Sequence, residues 1–290
     1  MTDHTTTTAA TAAPTAAPAQ APAPTQAPAP VPTTTYARYL QVPALLSLRQ
    51  PPAAPVPASL GEQLFVTVHQ VQELWFAQLL AELTAARDLL VDGQPRLARL
   101  RLARCLVIDR TLVTSLQPLR AMSPREFHLF RARLGTASGA QSAQFREIEA
   151  LSGADWARSA PPPEGLTEVE RAALRRRQSE PSLWDGLLAV LAKAGYDTGS
   201  HAARLAALAG LAAGPEEPAD LAELVGALLD HDAIWSEWRA AHTVLVERQI
   251  GARPGTGGTS GAAYLRAGVH RRFFPELWEA GDPGLLADAG

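Results

Sequence analysis

The sequence predicts an all-α fold, a helical bundle of long helices with short accessory helices. Three observations carry that expectation. Large apolar residues recur at three- and four-residue steps over long stretches. The strict alternation expected of half-buried strands is missing. Helix start and stop residues bracket the periodic segments. Over the whole 290 residues, 47% are hydrophobic and 19% charged, so most of the chain has enough apolar surface to bury a core.

Residues 1–35 stand apart. They are almost entirely Thr, Ala, Pro and Gln, with Asp3 as the single acidic residue. Ordering such a stretch costs chain entropy and buries little in return, so a disordered tail is expected before one all-helical domain over 36–290. The tail has neither the basic start nor the apolar centre of a secretory signal. The segment YARYL, residues 36–40, opens the ordered chain, with Tyr36, Tyr39 and Leu40 on one face of a short helix. Pro43 suits the start of the next helix, and the prolines of residues 51–57 interrupt any regular element.

A central helix is expected from about Gly61 to Leu90. Phe65, His69 and Glu73 are spaced by four, as are Gln72, Phe76 and Leu80. Two such stripes mark a helix buried on more than one side. After the turn at Gly93 and Pro95, a second long helix is expected over Arg96–Leu119. Ser123, Pro124 and Glu126 form a start signal for a third, carrying Phe127, Phe130, Arg131 and Leu134. The segment GTASGAQSAQFREIE reads as a small-residue turn entering another helix. Further helices are expected over Glu168–Arg177, Pro181–Gly195 and His201–Ala213. A long one runs over Pro218–Ile250 and stops at Gly251. The glycine-rich 251–261 loop leads into a helix of about ten residues, and FFPELW docks at the end.

Charge and cysteine content narrow the function. With 26 basic and 29 acidic side chains the formal net charge is -3, so no nucleic-acid partner is expected. No run of eighteen apolar residues calls for a membrane span. The single Cys105 excludes an intramolecular disulfide and multi-cysteine zinc or iron–sulfur sites, and it suits a reducing, cytoplasmic setting. A carboxylate-bridged di-iron site needs Glu-x-x-His pairs that the chain lacks. No serine nucleophile elbow or dinucleotide fingerprint occurs, and GTGGTSG is not a phosphate loop because it lacks Lys and follows a helix.

What remains is a small set of polar residues in apolar surroundings. His69 is either a core histidine satisfied by a neighbour or a pocket histidine beside Phe65. Arg131, four residues after Phe127, is either paired internally with Glu73 or Glu147 or shaped to grip a carboxylate in two-pronged fashion. His242 is either a core or surface histidine or a metal ligand, with Glu247 five residues on. The glycine loop, bounded by apolar helices, reads as a fixed turn that aims backbone amides and the Thr256 hydroxyl at a charged group.

These segments, in this order, resemble the tryptophan 2,3-dioxygenase family over residues 36 to about 279. The resemblance is strongest in YARYL, in LFVTVHQVQELWF (64–76), in FHLFRARLGTASGAQSAQFREIE, in HTVLVERQIGARPGTGGTSG and in FFPELW. It implies a haem between the helices, haem b held by His242 as axial iron ligand, with Ser138 beside it. It implies O2 as co-substrate and the cleavage of the indole C2–C3 bond of L-tryptophan to N-formyl-L-kynurenine, in tryptophan catabolism. His69 is then the catalytic histidine. The substrate-binding set is Tyr36, Tyr39, Leu40, Phe65, Val66, Thr67, Val68, His69, Phe127, Arg131, Leu134 and Thr256. The resemblance further implies a homotetramer in which the N-terminal arm completes a neighbour's pocket. Leu116, Ala140 and Phe127 depart from the family's usual residues. They leave open a haem oxygenase acting on a substituted tryptophan or another aromatic amino acid, and, below it, a non-catalytic haem-binding protein.

Overall fold

The computed structural model describes residues 1–2, 34–49, 59–213 and 219–281. Most of the expected disordered tail and the whole 51–57 proline segment lie outside the described residues. Chain contacts divide the molecule into Met1–Leu45 and Leu46–Gly290. At the start, α1 (Tyr36–Tyr39) and α2 (Val42–Ser47) are short helices that bury no side chain.

Helices joined by turns make up the larger unit, with no strand among its described residues, as its periodicity predicts. Its elements run α3 (Leu60–Val91), α4 (Pro95–Ser115), α5 (Gln117–Ala121), α6 (Pro124–Phe130), α7 (Ala143–Ser152), α8 (Asp155–Arg158) and α9 (Glu168–Ser179). They continue with α10 (Leu183–Lys193), α11 (His201–Ala213), α12 (Ala219–Ile250), α13 (Ala262–Val269) and α14 (Pro275–Ala280). Helices α3, α4 and α12 form the frame, with α4 packed against both of the others and α10 laid against α3. Leu79, Leu83 and Leu90 of α3 and Leu102 of α4 are wholly buried where these helices meet. Each such burial stabilises the fold by about 1.5–3 kcal/mol.

The start signals are realised as local hydrogen bonds. Ser59 caps α3 by accepting from the Glu62 amide. Ser123 and Glu126 form a reciprocal capping box on α6, and Thr167 with Glu170 does the same for α9. Two helices differ from expectation. The second does not reach Leu119 unbroken: α4 ends at Ser115 and α5 begins at Gln117, because the ring of Pro118 cannot donate to the preceding turn. The third ends at Phe130, so Arg131 and Leu134 sit instead on a tighter 3-10 turn, Arg131–Leu134. That turn stops at Gly135, whose φ is +56°.

Buried polar groups lock the frame in register. Asp109 on α4 accepts from His231 Nδ1 at 2.7 Å and from the Trp235 indole at 3.0 Å, both on α12. Ser152 Oγ lies 3.2 Å from the other ring nitrogen of His231. The three side chains are ordered like a hydrolytic triad, but Ser152, His231 and Asp109 are at most 1% exposed, so no substrate reaches the hydroxyl. They form a strut among α4, α7 and α12. Next to His231 on α12, one carboxylate oxygen of Asp232 accepts from the amides of Phe273 and Phe274 and from the Trp278 indole. That is how FFPELW docks.

Asp109→Ala strands two buried donors. It should lower the unfolding free energy by about 2–6 kcal/mol, at ~1–3 for each donor left unpaired. Urea unfolding of parent and variant measures this, and an unchanged midpoint would show that the strut carries no load.

Candidate active site

Helices α3 and α12 face each other across a cavity of about 930 Å³, at the upper end of the size range of small-molecule and cofactor sites. One wall is a single face of α3: Phe65, Val68, His69, Gln72 and Phe76. The opposite wall is α12, with Trp238, His242, Leu245 and Val246. Aromatic side chains bridge the two helices at one end, where the Phe76 ring stacks near Trp235 at 6.0 Å and Phe145 approaches Trp238 at 5.3 Å. At the other end Phe65, Phe127 and Phe130 meet with centroids 5.3–5.9 Å apart. These rings belong to a second apolar cluster with Leu116, Leu119 and Met122, separate from the main core. The walls are therefore largely apolar.

His69 is held by its own helix. Its Nδ1 lies 2.8 Å from the Phe65 carbonyl, and a carbonyl only accepts, so Nδ1 carries a proton and donates. Burial pulls the His69 pKa below the ordinary histidine value, against the raising effects of that carbonyl and of Glu73. The neutral ring therefore leaves Nε2 as a lone-pair acceptor. Phe65 packs on the imidazole with centroids 4.1 Å apart and fixes its tilt.

His242 is the counterpart on α12. Burial, with a smaller contribution from His69 nearby, lowers its pKa to about 4, so it is neutral at physiological pH. It stacks on Trp238, centroid distance 5.1 Å and interplanar angle 19°. Among the described residues no hydrogen-bond partner holds either of its nitrogens. Glu247, five residues on, is paired with Arg266 instead. A neutral imidazole with a free lone pair, facing a largely apolar cavity, is the kind of donor that a haem iron takes. Among the described residues no three His, Cys, Asp or Glu side chains converge as a metal site. A lone imidazole suits a metal whose remaining positions come from a macrocycle. Arg146, Arg239 and Arg271 also line the cavity, together with Glu73, Glu147, Glu149 and Glu170. Arg146 is paired with Glu149, while Arg239 Nη2 is a buried donor with no partner among the described residues, able to meet a cofactor carboxylate. The residues present fit a haem.

Arg131 does not form the internal ion pair considered from the sequence. Glu73 accepts from Gln144 at 2.7 Å, and Glu147 lies 3.8 Å from Arg177. The tight turn that replaces the expected helix swings Arg131 toward the glycine loop, where Nη2 donates to the Pro254 carbonyl at 2.5 Å. Its remaining N–H groups have no partner among the described residues. Thr256 Oγ1 donates to the Ala137 carbonyl at 2.5 Å, which leaves its oxygen free to accept. The loop is thus stitched to the 131–137 turn at both positions. A Cβ on Gly257 would come within 2.5 Å of Ser138 Cβ, so glycine is needed for that close approach. Gly251, at φ +58°, turns the chain out of α12 into this loop.

Of the expected site residues, Phe65, Val68, His69, Phe127, Arg131, Leu134, Ser138, His242 and Thr256 line this one cavity. Val66 and Thr67 do not, since each helical residue turns the side chain about 100° and these two fall off the inward stripe. Tyr36, Tyr39 and Leu40 belong to the other unit and are exposed. Sequence reading passed over Gln72, Trp238, Arg146 and Tyr264 as site residues. A signal existed for two of them: Gln72 lies one turn beyond His69, and Trp238 one turn before His242, on the inward faces.

Comparison with known proteins agrees with this geometry. The family model described as tryptophan 2,3-dioxygenase matches residues 24–191 and 189–282. The chain is 46% identical to the tryptophan 2,3-dioxygenase of a Nocardioides species over 84% of this chain and 92% of that protein. It is 39% identical to the Herpetosiphon aurantiacus protein of the same name, over 84% and 96%, and 38% identical to that of Anaeromyxobacter dehalogenans, over 84% and 94%. An all-helical frame, two facing imidazoles and these matches lead to one conclusion: the chain belongs to the tryptophan 2,3-dioxygenase family.

Proposed function

We propose that this enzyme inserts both atoms of O2 across the indole C2–C3 bond of L-tryptophan, forming N-formyl-L-kynurenine. The observation that carries the reading is the pair of neutral imidazoles, His69 and His242, on opposite walls of one apolar cavity. His242 would hold haem b through its free nitrogen, with Ser138 beside the ring. The chemistry supplied by a haem iron bound there is the activation of O2.

The protein contributes position, polarity and the exclusion of water. His69 Nε2, an acceptor because Nδ1 is committed to the Phe65 carbonyl, would receive the indole N–H and orient the ring. It acts as an aligning group, because ring opening removes no net proton. Phe65, Phe127, Val68 and Leu134 supply the flat apolar walls. Arg131 presents unengaged guanidinium N–H groups suited to a carboxylate, and the Thr256 oxygen can accept from an ammonium. The amino acid end would lie against the pinned glycine loop and the indole toward His69. Val66 and Thr67 would act only by shaping the backbone of this helix turn.

The assembly completes the reading. Tyr36, Tyr39 and Leu40 are large, exposed and on a helix that buries none of them, as expected of an arm that covers a neighbour's pocket in a homotetramer. Among the described residues no helix is long and apolar enough to cross a membrane. The single, buried Cys105 suits a reducing cytoplasm. The relatives named above share one activity in their names, and none favours a substituted substrate or a non-catalytic role.

The deciding experiment is aerobic turnover of the reduced, haem-loaded enzyme with L-tryptophan under labelled O2. The product should carry two labelled atoms and the absorbance of N-formylkynurenine; a singly labelled product would overturn the dioxygenase reading. His242→Gly should lose the axial ligand and regain a haem spectrum with added imidazole, whereas His69→Ala should keep haem and lower kcat on the order of 100-fold. Arg131→Leu should raise KM by about 10- to 100-fold, the cost of charged hydrogen bonds to the substrate carboxylate. Tryptamine, which lacks that carboxylate, should bind parent and Arg131→Leu equally.

A further inference from the structure

We propose that Gln72 is a positioning residue for the haem ligand His242, acting through the indole of Trp238. The proposal rests on the reading of His242 as the axial ligand.

Gln72 is only 4% exposed and its amide is fully committed. Nε2 donates to the Leu112 carbonyl at 3.0 Å and to Ser115 Oγ at 2.8 Å, and Oε1 accepts from Trp238 Nε1 at 3.2 Å. The orientation of the amide is not arbitrary. A carbonyl can only accept and an indole N–H can only donate, so each end has one permitted role. Leu112 and Ser115 lie in the last turn of α4, where the Leu112 carbonyl accepts from the Ser115 hydroxyl at 3.0 Å as well as from Gln72. Gln72 thus takes its reference from the end of α4 and transmits it to α12.

Trp238 carries that reference to His242. The two rings are nearly parallel at 19°, with centroids 5.1 Å apart. An axial histidine normally has its orientation set by a hydrogen bond from its second nitrogen to a carboxylate, carbonyl or water. Among the described residues His242 has no such partner, so the stacked indole is the contact that limits rotation of its ring. An indole released from Gln72 could slide or tilt, and the imidazole plane would follow. Phe76, Phe145 and Trp235 press on the other sides of Trp238 but offer no polar anchor. The same helix face therefore controls both walls of the cavity: His69 directly, and His242 through Gln72 and Trp238.

The test uses the ferrous haem-loaded enzyme and reads the iron–imidazole stretching band by resonance Raman spectroscopy. Gln72→Met keeps the volume and removes the anchor. Trp238→Phe keeps a stacked ring and removes the anchored N–H. Both should move the band in the same direction, and the double variant should move it no further than the larger single shift, because both break one chain of contacts. Haem affinity should fall by about 10- to 100-fold in each. A purely structural Gln72 would lower the melting temperature with the band unmoved, and that result overturns the proposal, as do additive shifts. Should Gln72→Met fail to fold, an unmoved band in Trp238→Phe alone overturns it. Failure of the underlying reading looks different: the parent itself would lack the band, or His242→Gly would retain it.

Discussion

The site depends on α4 lying between α3 and α12. Each of the two outer helices buries its apolar stripe against α4, and the Asp109 strut, with Gln72 at the end of α4, fixes their rotation. Once those registers are set, the inward faces of α3 and α12 diverge. Aromatic rings stand at both ends of the gap and leave an apolar-walled space between them. A haem-sized cavity in a close-packed protein is unfavourable unless its walls are held from behind, because the lining side chains forgo contacts they would otherwise make. Here the support comes from buried polar groups with fully specified partners.

The two imidazoles show how one residue type is given two roles by its surroundings. Both are neutral because burial penalises the charged ring. His69 spends Nδ1 on its own helix and is left as an oriented acceptor. His242 makes no hydrogen bond among the described residues and is held by its stacking on Trp238. The apolar walls that lower both pKa values also exclude water, so the same burial serves tautomer control and chemistry. Arg131 and Thr256 are treated differently: they sit half-buried, tied to main-chain carbonyls of facing loops. That arrangement fixes direction at the rim without stranding a charge in the core.

The all-α class, the extents of α3 and α12 and the cap at Ser123 were legible in the chain, because they are products of periodicity and of contacts within four residues. The break between α4 and α5 was legible too, since Pro118 stands in plain view, yet the apolar pattern ran across it and suggested one helix. The end of α6 at Phe130 was not legible. Phe127, Phe130 and Leu134 keep helical spacing, and only the pull of the 254–256 loop on Arg131 and Ala137 favours the tighter turn.

The sequence by itself singled out His69, Arg131, His242 and Thr256, because a polar side chain in apolar surroundings needs either a partner or a ligand. It could not say which of them meet. His69 and His242 are 173 positions apart in the chain, and Gln72 and Trp238 are 166 apart. Their meeting depends on how three helices rotate about their axes, and that rotation is decided by the summed packing of side chains spread along the whole chain. Hence the partners of Arg131, the anchoring of Trp238 and the absence of Val66 and Thr67 from the cavity wall were decisions of the tertiary structure alone.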